Sequence, residues 1–469
     1  MYRYRALTIF FYLTLIFLLC GASRAGGVDS SSSLPPQAPI KNLSELFNDH
    51  FFYQPSPPAT FTTALPEGRV TVETTLREDL QKRLMNLFAR SGPMIAAAVA
   101  IDAKTGAVLA MGNKTAKNGA SLLPDGADNY CVYGGFPAAS LAKIITAAVA
   151  LEKKGFTTDH LVPVAGRYHT LYRSQVGIER SPYKPEMVPL DKAFGLSINP
   201  YFGKMWLDSF ADREFLDMGQ GLLFNMPLEF DLPVTKSRLV PPADDFQRAE
   251  VASGYNTRTT ISPLHAALIA ALPANGGKLM RPYIINRVTD ADGRLLYANS
   301  ARQLGQPLSV RSAAQLNELM RETVQNGTAR NSFTYVKRIA AAKGWTLGGK
   351  TGSIDLPGHT GRCDWFAGFG QAGSNSVAVA CILVHGTQRT MRSSFVGAEL
   401  IRGSLDPAGA AAPPQVQAKK KPAPRTTKSL AKANTKVSTK KKTKVKTPVK
   451  QAAKPASKKR PASTQHTGG

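Results

Sequence analysis

The chain has 469 residues, of which 43% are hydrophobic, and this is enough to bury the core of one large or two ordinary domains. Its formal net charge is +27, but the charge is uneven, because seventeen Lys and Arg residues and no acidic residue follow Asp406. Neither the four cysteines nor the seven histidines have the spacing of metal ligands, so we expect no metal site and no cofactor.

The N-terminal segment has the pattern of an export signal. Two arginines precede an apolar run from Ala6 to Ala22, and the small residues after it suit cleavage before Gly26. The run is long for a signal core and short for a membrane span, so residues 1–25 are predicted to be a signal peptide or a membrane anchor. In both cases the rest of the chain lies in the periplasm or on the outer face of the inner membrane.

Residues 26–70 are rich in Ser, Pro, Gln and Asn, show no sustained period, and predict a linker. An ordered domain follows over 71–403. It opens with a short strand and a helix whose leucines share one face, and continues as two apolar strands around the turn Asp102–Gly106. The apolar character of these strands predicts a buried hairpin.

The next segment, FPAASLAKIITAAVALEKKG over 136–155, predicts a helix that is apolar all round and therefore buried. Lys143 lies on it, one turn after Ser140. Burial would lower the pKa of this lysine, and the neutral amine could then take a proton from the serine hydroxyl. The alternative is that Lys143 extends to the surface and Ser140 merely caps the helix.

The region from about 156 to 280 is mainly helical by pattern, with Ser262 as an N-cap and Pro263 in the first turn of its clearest helix. Strands return as a hairpin around Asp292-Gly293. A polar helix near 311–328 and the apolar segments LGGKTGSIDL, CDWFAGFG and NSVAVACILVHG follow. Strands at both ends with helices between them predict an α/β or α+β fold.

Residues 404–469 are dominated by Ala, Pro, Lys and Thr, and such a tail cannot bury enough apolar surface to fold. Three cysteines lie outside the N-terminal segment. Cys381 sits in an apolar strand and is predicted to be a buried free thiol, whereas Cys131 and Cys363 either pair or remain free.

Three short motifs occur in order along the folded region. They are Ser140-Leu141-Ala142-Lys143, Ser197-Ile198-Asn199 and Lys350-Thr351-Gly352-Ser353. Each is weak alone, but the ordered set SxxK, SxN and K[ST]G resembles the signature of the serine penicillin-interacting enzymes, which are penicillin-binding proteins and serine β-lactamases. The likeness extends over roughly 70–400, since the AVAIDAKTGAVLAMG hairpin and the ISPLHAALIAALPANGG and DWFAGF segments are similar to those of penicillin-binding transpeptidase domains.

The resemblance implies a fold with a central antiparallel sheet flanked by helices and an all-helical subdomain. It also implies that Ser140 attacks a D-Ala-D-Ala bond to form an acyl-enzyme and that Lys143 accepts the serine proton. Ser197 would relay a proton to the leaving amine, and Asn199 would hold a substrate amide.

The third motif is implied to bind substrate. Lys350 and Thr351 would face the substrate carboxylate, and Gly352 would leave room for the peptide along the strand edge. The backbone N–H groups of Ser140 and Ser353 would form the oxyanion hole.

This chain departs from the family pattern in two places, and both bear on which subgroup of the family it resembles. The 26–70 segment leaves no room for a glycosyltransferase or dimerisation module, so we expect a stand-alone transpeptidase-type domain. Where relatives often have a glycine-rich turn, this chain has Ser253-Gly254-Tyr255-Asn256-Thr257-Arg258.

The expected function is a D,D-transpeptidase acting on peptidoglycan stem peptides and inhibited by β-lactams. A D,D-carboxypeptidase, a serine β-lactamase and a non-enzymatic penicillin sensor or wall-binding protein remain as alternatives. Glu229 and Glu250 are the carboxylates considered for β-lactamase-type deacylation. The basic tail is expected to contact anionic envelope polymers or the membrane surface, or to have no specific partner; export argues against nucleic acid.

Overall fold

A computed structural model describes residues 42–47, 51–54, 57–116 and 129–409. The predicted signal peptide or anchor over 1–25 and the basic tail beyond residue 409 lie outside these ranges. Among the described residues, no helix combines the length and the apolar character needed to cross a bilayer.

The strands of the described residues are β1 (Thr60–Leu65), β2 (Gly68–Thr74), β3 (Ile95–Asp102), β4 (Val108–Thr115), β5 (Phe136–Pro137), β6 (Leu161–Val164), β7 (Glu186–Pro189), β8 (Thr260–Ile261), β9 (Leu279–Met280), β10 (Ile285–Asp290), β11 (Leu295–Ala298), β12 (Gln303–Gly305), β13 (Thr346–Asp355), β14 (Arg362–Ala372) and β15 (Asn375–His385).

The α-helices of the same ranges are α1 (Glu78–Arg90), α2 (Ala142–Glu152), α3 (Leu190–Leu196), α4 (Asn199–Ser209), α5 (Asp212–Gly221), α6 (Asp245–Ser253), α7 (Pro263–Ala271), α8 (Val310–Gln325), α9 (Thr334–Lys343) and α10 (Ser393–Leu405).

The core is a five-stranded antiparallel sheet in the order β13-β14-β15-β3-β4. Its strands β3 and β15 are buried along almost their whole length. Because both faces of these strands are covered, their sequences are continuous apolar runs and do not alternate between apolar and polar residues. Alternate residues of β3 face opposite layers: Ala96, Ala98 and Ala100 contact the layer of α1 and α10, and Ala97, Val99 and Ile101 contact the layer of α2 and α7. The predicted α/β fold with its flanked central sheet is confirmed.

The predicted helical subdomain corresponds to the segment that carries α3 to α6, because α7 packs on β15 of the central sheet. Helix α4 packs on α6, and α2 packs on both α5 and α6. The segment also contains a two-stranded sheet, in which β6 pairs antiparallel with β7. Ser262 caps α7 by accepting a hydrogen bond from the backbone N–H of His265, as its position before Pro263 predicts.

Part of the segment predicted as linker over 26–70 is folded. Strand β1 lies within it and pairs with β2, which in turn pairs with β10 in a four-stranded sheet. Phe47, Phe51 and Phe52 pack ring against ring, and Phe61 of β1 packs on Phe47 and Phe51. This aromatic cluster has no regular sequence period, so periodicity did not indicate it.

Cys131, Cys363 and Cys381 are free and buried, so the possible pairing of Cys131 with Cys363 is not formed. The Cys131 thiol is already engaged, since its sulfur lies 3.4 and 3.3 Å from the carbonyl oxygens of Ala98 and Gly112, to either of which its one S–H can donate. Burial raises the pKa of both Cys131 and Cys363 to about 12. These thiols are therefore unreactive at neutral pH.

Trp365 of β14 fixes the chain that leads into the first motif. Its indole N–H donates to the carbonyl of Pro137 at 2.8 Å, and its ring meets Phe136 edge to face. The side chain is fully buried. The central sheet therefore holds the segment from which the motif serine projects.

Replacing Trp365 with Phe should lower the free energy of unfolding by about 1–3 kcal/mol, because the buried Pro137 carbonyl would lose its donor while the ring volume is largely kept. Urea unfolding followed by circular dichroism measures this difference. An unchanged transition midpoint would show that the bond contributes nothing net.

Candidate active site

The turn that carries Ser140 is more complex than the predicted helix over 136–155. Phe136–Pro137 form β5, which pairs with β8, a 3-10 turn follows over Ala139–Leu141, and α2 begins only at Ala142. Ser140 therefore precedes the α-helix and does not cap it through its side chain.

The residue before Ser140 has an unusual backbone. Ala139 has φ +48°, in the left-handed region that residues with a Cβ avoid at a cost of about 1–2 kcal/mol. Gly254, itself at φ +66°, lies so close that a Cβ there would meet the Ala139 carbonyl oxygen at 1.9 Å. Only glycine fits at 254, and its approach helps to fix the conformation of the Ser140 turn.

Lys143 is fully buried on the first turn of α2. Its amine lies 2.9 Å from the Ser140 hydroxyl, 2.7 Å from the Asn199 side-chain oxygen and 2.6 Å from the Ser253 carbonyl oxygen. The surface position considered as the alternative is therefore wrong. Burial lowers the pKa of Lys143 well below its ordinary value, and the charge of Lys350 lowers it further.

The contacts of the amine determine where its lone pair points. A neutral amine has two N–H bonds and one lone pair, and the carbonyl oxygens of Asn199 and Ser253 can only accept hydrogen bonds. The Asn199 amide is oriented by its own N–H, which donates to the His169 carbonyl at 3.1 Å. Both N–H bonds of Lys143 are thus used, and the lone pair is left for the Ser140 hydroxyl.

The second motif lies at the connection between α3 and α4. Ser197 ends α3 in a left-handed conformation, with φ 60° and ψ 47°, so that the chain reverses and Asn199 opens α4. The backbone N–H of Asn199 donates to the Tyr168 carbonyl at 2.7 Å. Both Ser197 and Asn199 face the cleft beside Ser140.

The third motif lies on β13, the edge strand of the central sheet. Lys350 is fully buried, and its amine lies 2.9 Å from the Ser197 hydroxyl and 3.1 Å from the Thr351 carbonyl oxygen. Burial lowers its pKa to about 7. Gly352 abuts the nucleophile turn, since a Cβ at this position would lie 3.2 Å from the Ser140 nitrogen.

A cleft of about 680 Å³ opens over these groups. Six of the eight predicted site residues line it, namely Ser140, Ser197, Asn199, Thr351, Gly352 and Ser353. The other two, Lys143 and Lys350, are buried behind the hydroxyls to which their amines bind. The structure thus brings all eight residues together.

Residues 96–405 match the family described as the penicillin binding protein transpeptidase domain. The chain belongs to this family. It is 26% identical over 362 residues to the peptidoglycan D,D-transpeptidase PbpA of Mycobacterium tuberculosis, with 70% of each chain covered. It is also 26% identical over 359 residues to PbpA of Mycolicibacterium smegmatis, again with 70% of each covered.

A solved structure of penicillin-binding protein A from M. tuberculosis, an imipenem acyl-enzyme complex, is similar with a TM-score of 0.58 at 25% identity. The likeness covers 71% of this chain and 79% of that one. The resemblance drawn from the three motifs is therefore confirmed at the level of the family and of its fold.

Several residues of this penicillin-binding protein site were not indicated by the motifs. Ser253 and His169 act through backbone carbonyls, which any residue carries, so no side-chain pattern could indicate them. The Thr328 hydroxyl lies 2.5 Å from that of Thr351. Arg362 and Arg389 contact Ser353 from outside the motif.

Glu229 and Glu250, considered for deacylation, do not line the cleft. Glu229 instead pairs with Arg302. Within the described ranges, no group of three or more His, Cys, Asp or Glu side chains is placed to hold a metal ion.

The buried Lys350 should make stability depend on pH. Between pH 7 and pH 10.5 the unfolded chain carries a proton on Lys350 that the folded protein has released, so the free energy of unfolding rises with pH. In Lys350→Met this contribution is absent, and the slope should fall by up to about 1.4 kcal/mol per pH unit. Urea unfolding of both proteins across this pH range measures the slopes, and equal slopes would contradict the lowered pKa.

Proposed function

We propose that this protein is a serine D,D-transpeptidase that cross-links peptidoglycan stem peptides through an acyl-enzyme on Ser140. The observation that carries the proposal is the environment of Lys143, whose buried amine keeps one lone pair free, 2.9 Å from the Ser140 hydroxyl. This is the arrangement of a general base beside a nucleophile. Family membership and the names of the relatives support the same reaction.

In the acylation step, the Ser140 oxygen bonds to the carbonyl carbon of the D-Ala-D-Ala peptide while its proton passes to Lys143. The negative charge that develops on the carbonyl oxygen is stabilised by the backbone N–H groups of Ser140 and Ser353. The closeness of Gly352 to the Ser140 nitrogen supports this, because it brings β13 against the nucleophile turn.

The carbon–nitrogen bond then breaks, and the leaving amine takes a proton from the Ser197 hydroxyl. Ser197 is reprotonated by Lys350, which binds its hydroxyl at 2.9 Å and whose pKa of about 7 allows it to give and accept a proton near neutral pH. The amino acid D-alanine leaves. Asn199 faces the cleft and holds an amide of the bound peptide.

In the second step, the amine of another stem peptide attacks the ester and gives up a proton through the Ser197 hydroxyl to Lys350, which lost one in the first step. The bond to Ser140 breaks, and Lys143 returns its proton to the serine.

Neither Glu229 nor Glu250 lines the cleft to activate water beside the ester. The two carboxylates that do line it, Asp355 and Asp364, lie beside Arg362 and Arg389, so the proposal favours aminolysis over rapid hydrolysis. A solved relative forms an acyl-enzyme with imipenem. We therefore propose that β-lactams acylate and inhibit this protein.

Incubation with benzylpenicillin, followed by intact-protein mass spectrometry over time, tests the proposal. One adduct should form on Ser140 and persist for hours, and Ser140→Ala should form none. Lys143→Met should slow acylation by a factor of about 100 to 10 000, because it removes the general base. Lys153→Met, an exposed lysine at the end of the same helix, is the matched control and should label normally.

The lifetime of the penicillin adduct and the products formed from peptide substrates distinguish the alternative functions. An adduct lost within seconds would instead indicate a β-lactamase, and absence of any adduct would refute the assignment. With a stem pentapeptide and an amine acceptor, the transpeptidase should release D-alanine and form the cross-linked product. Release of D-alanine without cross-linking would indicate a carboxypeptidase, and no turnover a penicillin sensor.

We further propose that residues 1–25 export the protein to the periplasm or the outer face of the inner membrane, and that the tail from 404 contacts anionic envelope polymers or the membrane surface. The support is the sequence pattern, with seventeen basic and no acidic residues after Asp406. Because export would carry the tail out of the cytoplasm, we do not propose nucleic acid as its partner.

Deleting the tail should weaken sedimentation with cell envelopes, and the difference between the deleted and the full chain should shrink as salt is raised, because screening weakens the contacts between charges. Sedimentation of both proteins across a salt series measures the effect. Equal binding of the two chains would leave the tail as a solvated segment with no specific partner.

A further inference from the structure

His169 lines the cleft beside the second motif, and the residue is exposed to solvent. It lies between β6 and β7, in a turn that no sequence motif indicated. The family resemblance places the donor peptide along β13, where Gly352 leaves room for it. Because the donor occupies that edge, the amine of the acceptor peptide reaches the Ser140 ester from the part of the cleft that the second motif and His169 line.

Hydrogen bonds hold the turn of His169 on both sides of this residue. Before it, the side-chain N–H of the buried Gln175 donates to the Arg167 carbonyl at 2.9 Å. After it, the side-chain oxygen of Gln175 accepts from the Thr170 hydroxyl at 3.0 Å. The His169 carbonyl itself accepts from the Asn199 amide at 3.1 Å. The turn is therefore fixed relative to the second motif, and a side chain on it can position a substrate.

The contact of the His169 ring with the second motif determines which of its nitrogens is free. The ring interacts with the backbone of Ser197, and this interaction favours the protonated ring. A backbone N–H would favour the neutral ring, so the partner is the Ser197 carbonyl oxygen. A carbonyl can only accept a hydrogen bond, so the ring nitrogen that faces it carries a proton. In the neutral ring the second nitrogen is then an acceptor with a free lone pair.

The surroundings of the ring favour this neutral form. Desolvation lowers the pKa of His169 below its ordinary value of 6.5, and the charges of Lys143 on α2 and Lys350 on β13 lower it further. The neighbouring Arg167 is exposed, and Glu186 of β7 is bound by the hydroxyl of the adjacent tyrosine. At neutral pH the ring therefore offers a lone pair to a hydrogen-bond donor in the cleft.

We propose that His169 forms an acceptor subsite, in which its free ring nitrogen accepts a hydrogen bond from the primary amine of the acceptor peptide and positions that amine to attack the acyl-enzyme. This rests on the proposed function, because it takes the ester on Ser140 as the group attacked. The bonds that form and break are those of the second step, and His169 neither gains nor loses a proton.

The geometry of a neutral amine explains what the subsite does. Such an amine has two N–H bonds and one lone pair. One N–H donates to His169 and the other to the Ser197 hydroxyl, through which the proton passes to Lys350. The lone pair is then left for the ester carbon. The positive charges of the two lysines disfavour an ammonium ion at the same place, so the subsite selects the amine in its reactive form.

The test measures how the acyl-enzyme divides between cross-linking and hydrolysis. With a stem pentapeptide and an amine acceptor, the ratio of cross-linked to hydrolysed peptide depends only on steps after acylation, so slow acylation does not change it. His169→Leu removes the ring acceptor and should lower this ratio about tenfold, the effect of one hydrogen bond. His169→Gln keeps an accepting oxygen and should recover part of the ratio. His160→Leu is the matched control and should keep the ratio, because His160 stacks on Phe156 and does not line the cleft.

The pH dependence distinguishes a subsite from a purely structural role of the turn. Methoxyamine is an acceptor that is mainly uncharged between pH 5 and pH 7. With it, the wild-type ratio should fall as the pH is lowered over this range, because protonation removes the lone pair of His169. The ratio of His169→Gln should stay level, because glutamine does not titrate while Lys143 and Lys350 are both kept.

The outcomes separate failure of the subsite from failure of the proposed function. A His169→Leu ratio equal to that of the wild type would overturn the subsite. Equal losses in the leucine and glutamine variants, with pH profiles parallel to that of the wild type, would also overturn it. In both cases the acyl-enzyme would stand, since the pentapeptide still releases D-alanine. Wild-type protein that releases no D-alanine, or that cross-links no amine, would overturn the proposed transpeptidase and the subsite with it.

Discussion

The site depends on one physical constraint, which is the complete burial of the Lys143 amine beside the Ser140 hydroxyl. A protonated amine in this position would be charged and cut off from water, close to a second buried lysine, and both factors favour the neutral form. Phe202 lies under Lys143 and Phe194 under Lys350, so each amine also has an aromatic ring beneath it. Burial therefore supplies the basicity that the serine requires.

The fold provides this constraint by bringing three separate segments to one point. The turn before α2 carries the nucleophile and the first turn of α2 carries its base. The reversal between α3 and α4 carries Ser197, and the edge strand β13 carries Lys350. The close contacts between them are made by small residues. Gly352 of β13 leaves no room for a side chain beside the Ser140 nitrogen, and Gly254, at the end of α6, leaves none beside the Ala139 carbonyl. Positions with no side chain are thus as necessary to the site as the reacting groups.

Much of this was predictable from the sequence where the signal is local. The apolar runs of β3 and β15, the cap at Ser262 and the order of the three motifs each follow from neighbouring residues. Contacts made by the backbone or between distant segments left no such signal, as with the Ser253 carbonyl on Lys143 and the arginines on Ser353. The helix predicted from residue 136 begins only at Ala142, because Phe136 pairs with Ile261 in a sheet that local periodicity cannot indicate.

The position of β13 at the margin of the central sheet has a consequence for solubility. An edge strand offers unpaired backbone groups that can join the sheet of another molecule and start aggregation. Here the turn that carries Ser140 packs against β13, Lys350 points inward from it, and Arg362 and Arg389 stand at its far end. Turns and charged side chains at the edge of a sheet disfavour pairing with a strand of another molecule. We therefore expect the residues around the cleft to disfavour self-association of the folded chain through this edge.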